Sequence, residues 1–142
     1  MASLGPVTDY VSIRDLAVPA VIGVHPWERE VEQTLVVSVD MVPETAGVRK
    51  AAASDDLADA LDYSAVADAI TAVLRDGKFR LIETAAERVA GRLLTDFLLS
   101  WLRLELRKPI TSASAPVAPS VSPARDPAYI AAVTIERTRE IP

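Results

Sequence analysis

The densest concentration of chemically capable side chains in this chain of 142 residues is Ile22-Gly23-Val24-His25-Pro26-Trp27-Glu28-Arg29-Glu30. A turn that only reversed the chain would need Gly23 and Pro26; it has no need of His25, Trp27 and Glu28. Polar and aromatic residues gathered on a loop between rigid elements are where binding chemistry usually sits. Three later segments add to it: Leu61-Asp62-Tyr63-Ser64, Leu81-Ile82-Glu83-Thr84-Ala85-Ala86-Glu87 and Leu106-Arg107-Lys108-Pro109. Together the four segments hold several carboxylates, a phenol and an amine, side chains that can bind a polar ligand and move protons.

The composition removes several other chemistries. There is no cysteine, so disulfides and thiolate metal sites are excluded, and a single histidine rules out a zinc site with two or three imidazoles in one chain. The net charge of −5, without a basic run, argues against nucleic acid as a partner. Residues 93–106 are apolar but carry Asp96, Arg103 and Glu105, too short and too charged a stretch to span a bilayer. Met1 to Pro6 lacks the basic start and apolar core of a secretory signal, so the expected location is the cytoplasm. The length fits one domain, residues 1–142, and half the residues are apolar, enough for a real core.

The elements that must position these residues follow from periodicity. Residues 9–24 read as a bent strand with Val11, Ile13, Leu16, Val18 and Val21 apolar and Pro19 interrupting its ladder. In residues 34–42, Leu35, Val37, Val39 and Met41 alternate with polar neighbours, a clearer strand that would close a hairpin through the loop at 23–33. Residues 51–61 are expected to be a crossover. Its cluster Asp55, Asp56, Asp59 and Asp62 lacks the central glycine of a calcium loop, so capped and solvated acids are expected. Residues 64–74 and 82–98 carry helical stripes, the first stopped by Gly77. Strands follow through Leu102, Leu104 and Leu106 and through Tyr129, Ala131, Val133 and Ile135. Residues 111–128 are rich in Pro, Ser and Ala and are expected to be a flexible insertion.

The order β-β-α-α-β-β predicts an α+β fold, an antiparallel four-stranded sheet with both helices on one face. Such a sheet leaves two free edges and a partly apolar second face. Association that joins sheets into a barrel would satisfy both.

The stretches IGVHPWEREVEQ, SDDLADALDYSAV, FRLIETAAERVAGRLL, LRKP and VTIER, in this order on this topology, resemble dihydroneopterin aldolase. The resemblance implies the tunnelling fold, with sheets joined into a ring of four subunits and two rings stacked into an octamer. It implies a cofactor-free, metal-independent lyase of folate biosynthesis. That enzyme splits 7,8-dihydroneopterin by a retro-aldol reaction into 6-hydroxymethyl-7,8-dihydropterin and glycolaldehyde.

Each site residue also has a plain structural reading. Glu83, in the first turn of a helix, would complement the helix dipole anyway; the resemblance makes it the pterin anchor, accepting two adjacent N–H groups of the ring. Tyr63 would pass for a core tyrosine; the resemblance makes it a site residue reaching a neighbouring subunit's pocket, with the backbone at Leu61 and Ile82 adding pterin contacts. Lys108 would pass for a solvated strand-end charge; the resemblance makes it the catalytic lysine, shuttling protons through a bound water without a Schiff base. Glu28 would be one exposed acid among Glu28, Glu30 and Glu32; the resemblance has it contact the substrate's diol. Trp27 reads equally as a packing residue, and His25 as a turn residue. Arg107 alternates to the other sheet face and is no obvious helper to Lys108.

A retro-aldol cleavage needs a base for the hydroxyl proton, a sink for the carbanion electrons and an acid for the new carbon. The dihydropterin ring C=N can be the sink, leaving position and proton transfer to the protein. Two alternatives remain open at this point: epimerisation of dihydroneopterin or its triphosphate through the same intermediate, and a non-catalytic pterin-binding barrel. Glu28, Glu30 and Glu32 with Arg29 as the one cation of the loop favour an unphosphorylated substrate.

Overall fold

The computed structural model describes residues 9–45, 47–110 and 128–139, so the Pro/Ser/Ala-rich segment lies outside the described residues except for Ala128. Four strands form one antiparallel sheet in the order β1-β2-β3-β4: β1 (Val11–Ala20), β2 (Gln33–Pro43), β3 (Leu99–Ile110) and β4 (Tyr129–Thr138). The two long helices, α2 (Tyr63–Gly77) and α3 (Ile82–Asp96), pack on each other and on one face of this sheet. That is the α+β arrangement the periodicity predicts. No described helix is long and apolar enough to cross a membrane.

Alternation decides which face is covered. Leu35, Val37, Val39 and Met41 of β2 and Leu102, Leu104 and Leu106 of β3 are buried against Val66, Ile70 and Leu74 of α2 and Ala86, Val89 and Leu93 of α3. Fully burying a side chain of this size is worth roughly 1.5–3 kcal/mol, so this layer supplies the main drive to fold. The opposite face carries Arg14, Asp40, Arg103, Glu105 and Arg107, with Arg14 paired to Asp40 at 2.8 Å and Arg107 bonded to Asp15. Arg107 thus belongs to the face away from Lys108, as its place in the alternation requires.

The structure departs from the sequence reading in four places. First, residues 51–61 are not a plain crossover: a short helix α1 (Val48–Ser54) runs into this stretch and a 3-10 turn (Leu57–Asp59) follows, so the described residues hold three α-helices. None of their residues is buried, hence no apolar stripe announced them. The acids do cap as expected: the Asp56 carboxylate accepts from the Ala58 amide at 3.0 Å and Asp62 from the Ala65 amide at 3.1 Å. Second, Pro19 does not interrupt the ladder but pairs with Thr34, because β1 is an edge strand and needs no donor on its free side.

Third, α2 runs through Gly77, and Lys78 (φ 46°) takes the left-handed capping position. Fourth, α3 ends at Asp96 rather than at residue 98. Leu98, at φ 50°, reverses the chain, and β3 begins at Leu99.

β1 contains a bulge. Ile13 pairs with Val39 and Leu16 with Val37, so three steps on β1 oppose two on β2. Asp15 sits in it at φ 57°, with its amide donated to the buried Ser38 hydroxyl at 3.0 Å. The inserted residue lets Val11 and Ile13 share a face with Leu16, Val18 and Ala20, and it sets the orientation in which β1 delivers the following loop.

Candidate active site

β1 hands the chain to a loop at 21–32 that contains one 3-10 turn, Pro26–Glu30. His25 precedes the turn and the Glu28 amide donates to its carbonyl at 2.9 Å, which closes the turn. The turn drives Glu28 inward. Glu28 is not an exposed acid: it is 5% exposed and lies against the end of β3. Lys108 Nζ donates to Glu28 Oε2 at 2.7 Å, Gln33 Nε2 donates to the same oxygen at 3.1 Å, and the His25 amide donates to Oε1 at 3.1 Å. Burial by itself would raise the Glu28 pKa. The hydrogen bonds from Lys108, Gln33 and His25 outweigh it and hold the carboxyl at about 2. Glu28 is therefore a fixed anion at neutral pH.

Gly23 makes this burial possible. Its φ is +132°, and a Cβ placed there would stand 2.2 Å from the Glu28 carboxyl carbon. Any side chain would displace the carboxylate and strain the backbone.

Lys108 lies on the core face of β3, two residues beyond Leu106, where β2 no longer covers the strand: the last β2–β3 pair is Val36 with Arg107. The amino group of Lys108 thus emerges from the core edge into a cavity of about 430 Å³. His25, Trp27, Glu28 and Gln33 line one side of it, Arg80 and Leu81 another, and Lys108, Ile110 and Tyr129 the third. A carboxylate has about four lone-pair sites, and three protein donors leave Glu28 room for one more hydroxyl donor. The arrangement offers a cation and a fixed anion beside aromatic walls, suited to a flat polar ring with a hydroxylated substituent.

A family model for dihydroneopterin aldolase matches residues 11–122. The chain belongs to the dihydroneopterin aldolase family. The dihydroneopterin aldolase of Escherichia coli K12 is 42% identical over 101 residues, covering 71% of this chain and 80% of that protein. That of Haemophilus influenzae is 36% identical over 107 residues, covering 75% and 88%. The crystal structure of the E. coli dihydroneopterin aldolase in complex with neopterin superposes with a TM-score of 0.72 at 38% identity, covering 92% of this chain and 99% of that one. A uricase from Bacillus fastidious shares the fold alone, with a TM-score of 0.60 at 15% identity, covering 94% of this chain and 48% of that one. The chain therefore has the tunnelling fold, an architecture used for more than one chemistry, and function has to be argued from the site.

Against the residues expected for this aldolase family, the structure brings Glu28 and Lys108 into direct contact. It places His25 and Trp27, read from sequence as turn and packing residues, on the cavity wall. Ile82 and Glu83 open α3 directly after the wall residue Leu81, with the Glu83 side chain exposed. Leu61 and Tyr63 do not join them within one chain. They line a separate groove of about 210 Å³ with Val11, Val48 and Ala51, and Tyr63 is 62% exposed as the first residue of α2. Sequence reasoning missed Gln33 and Gly23. Gln33 carried no periodic signal, since it stands at the boundary of loop and strand. Gly23 looked like ordinary turn chemistry, and only the inward turn of Glu28 shows why no Cβ fits.

Proposed function

We propose that this chain is a dihydroneopterin aldolase. It cleaves 7,8-dihydroneopterin by retro-aldol reaction to 6-hydroxymethyl-7,8-dihydropterin and glycolaldehyde, a step of folate biosynthesis. The observation that carries the reading is the Lys108–Glu28 pair at 2.7 Å on the wall of the cavity. A fixed anion holds the amine of Lys108 at one position, which is what proton transfer to a bound substrate requires.

In this reading the Glu83 carboxylate accepts two adjacent N–H groups of the pterin, and the backbone at Leu61 and Ile82 adds further ring contacts. The remaining lone pair of Glu28 receives a side-chain hydroxyl. Lys108, reacting as the neutral amine through a bound water and with the Tyr63 hydroxyl close by, takes the proton of the hydroxyl on the second side-chain carbon. The bond to the first side-chain carbon breaks and glycolaldehyde leaves. The electron pair is held in the dihydropterin ring through its C=N bond. Lys108, now protonated, returns a proton through the same water to the first carbon, which completes the hydroxymethyl product and restores the amine. No Schiff base forms, and no cofactor or metal is called for.

Tyr63 and Leu61 open onto a groove of their own. The sheet has free edges at β1 and β4, and Tyr129 and Ile130 are exposed at one of them. Both features support a shared site, in which Tyr63 serves a neighbouring subunit's cavity within a ring of four subunits, two rings making an octamer. Residues 1–142 act as one domain, in the cytoplasm.

Lys108→Ala tests the assignment. Turnover should fall roughly 100- to 10,000-fold, the usual worth of a general acid–base group, while affinity for a pterin product analogue stays within about threefold. Borohydride added during turnover should trap no adduct. A trapped adduct on Lys108 would replace the proton shuttle by Schiff-base chemistry, and unchanged turnover would remove Lys108 from the reaction.

A further inference from the structure

Arg29 follows Glu28 in the chain but points the other way, and it makes three hydrogen bonds to main-chain carbonyls. Nη1 donates to Gly23 O at 3.0 Å and to Phe79 O at 3.1 Å, and Nη2 donates to Lys78 O at 2.6 Å. Gly23 belongs to the loop that buries Glu28. Lys78 and Phe79 belong to the turn where α2 stops and from which the chain runs through Leu81 to Glu83 in the first turn of α3. The Gly23 amide adds a direct bond to Phe79 O at 3.2 Å. The Arg88 guanidinium lies 5.8 Å from the centre of the Phe79 ring, a further hold on the same turn. Both ends of the loop are tied to α2 by Arg75, which donates to Pro19 O near the end of β1 at 2.9 Å and to Glu32 at the far end at 3.1 Å.

Carbonyls at the end of a helix have no partners within it and carry partial negative charge, so a guanidinium is well matched to them. Its planar fork bridges two chain segments at once; an ammonium is a point charge and cannot hold the same spacing. The loop that carries Glu28 has no regular ladder of its own between Ala20 and Gln33, so its place relative to α3 rests on these contacts.

We infer that Arg29 is a positioning residue that fixes the Glu28–Lys108 pair relative to the ring-holding start of α3. This rests on the aldolase reading above and deepens it. The Glu28–Lys108 pair and the ring anchor sit on segments separated in sequence, and Arg29 sets the distance between them. A shift of about 1 Å between reacting groups can cost about 100-fold in rate, so loosening this contact should act on turnover more than on ring binding.

The test compares wild type, Arg29→Met and Arg29→Lys as intact assemblies. Sites are first titrated with a pterin product analogue, so that loss of folded protein is separated from loss of rate. Arg29→Met should bind the analogue within about threefold of wild type, turn over 7,8-dihydroneopterin at least tenfold more slowly per titrated site, and be partly rescued in Arg29→Lys. Amide exchange provides an arm independent of activity. The peptide spanning 22–33 should exchange at least tenfold faster in Arg29→Met, with β2 and β3 unchanged. Equal rates per titrated site, or unchanged exchange of that peptide, would overturn the inference. If the wild type itself showed no turnover, the aldolase reading would fall and the exchange arm alone would decide the role of Arg29.

Discussion

At the residue scale, the site turns on one carboxylate. Residue type alone did not separate Glu28 from Glu30 and Glu32, three acids of one polar loop; only the family resemblance singled it out. What separates it is the 3-10 turn and the room left by Gly23, neither of which leaves a periodic signal. Lys108 was legible as a strand-end lysine, but its partner was not, since the two are 80 residues apart. The lowered Glu28 pKa has a pH consequence. A carboxyl near 2 in the folded chain and 4.5 in the unfolded one stabilises the fold fully above pH 4.5. That stabilisation is lost as pH falls from 4.5 towards 2. Its size is on the order of 3 kcal/mol at 1.36 kcal/mol per pKa unit. Urea unfolding of wild type and Glu28→Gln between pH 7 and pH 3 checks this: the wild type should lose more stability on acidification than the variant. Parallel acid limbs would mean that Glu28 is not held as described. The pair itself predicts a second outcome. Glu28→Leu leaves the Lys108 amine, 12% exposed, without its partner and should cost up to about 3 kcal/mol, and adding Lys108→Met should restore part of that loss in the same unfolding assay.

At the scale of elements, the strands and long helices were legible because their apolar residues repeat at period 2 or 3.6. The bulge was written in the sequence as well: the apolar positions of β1 change from odd at Val11 and Ile13 to even at Leu16 and Val18. A straight strand cannot place both sets on one face. The boundaries of α3 and β3 were not legible, because Leu98 turns the chain without Gly or Pro and continues an apolar run. Helix α1 escaped because it buries nothing. The bulge also has an energetic test. Ser38 is 7% exposed and its hydroxyl is the acceptor for the Asp15 amide. Ser38→Val should leave that amide without its partner and cost about 1–3 kcal/mol, measured as a fall in the urea midpoint at unchanged slope. A loss below about 0.5 kcal/mol would show that the amide finds another acceptor.

At the scale of the whole molecule, one chain holds Glu28, Lys108 and Leu81, the residue before α3, around one cavity, with Tyr63 and Leu61 on another groove. The shared-site proposal predicts complementation. Tyr63→Ala and Glu83→Ala assemblies, each inactive, are dissociated, mixed and reassembled. Some pockets then draw both intact residues from different chains, and activity should partly return. If mixed assemblies stay inactive while wild type recovers from the same treatment, each subunit builds its site alone. The central claim, cleavage of a carbon–carbon bond with the electron pair held in the pterin, is tested most directly by turnover of 7,8-dihydroneopterin in D₂O with both products analysed by mass spectrometry. The mechanism predicts glycolaldehyde and 6-hydroxymethyl-7,8-dihydropterin in equal amounts, the pterin carrying one solvent deuterium on its new methylene carbon. Absence of glycolaldehyde, or a hydroxymethyl product without deuterium on that carbon, would contradict it.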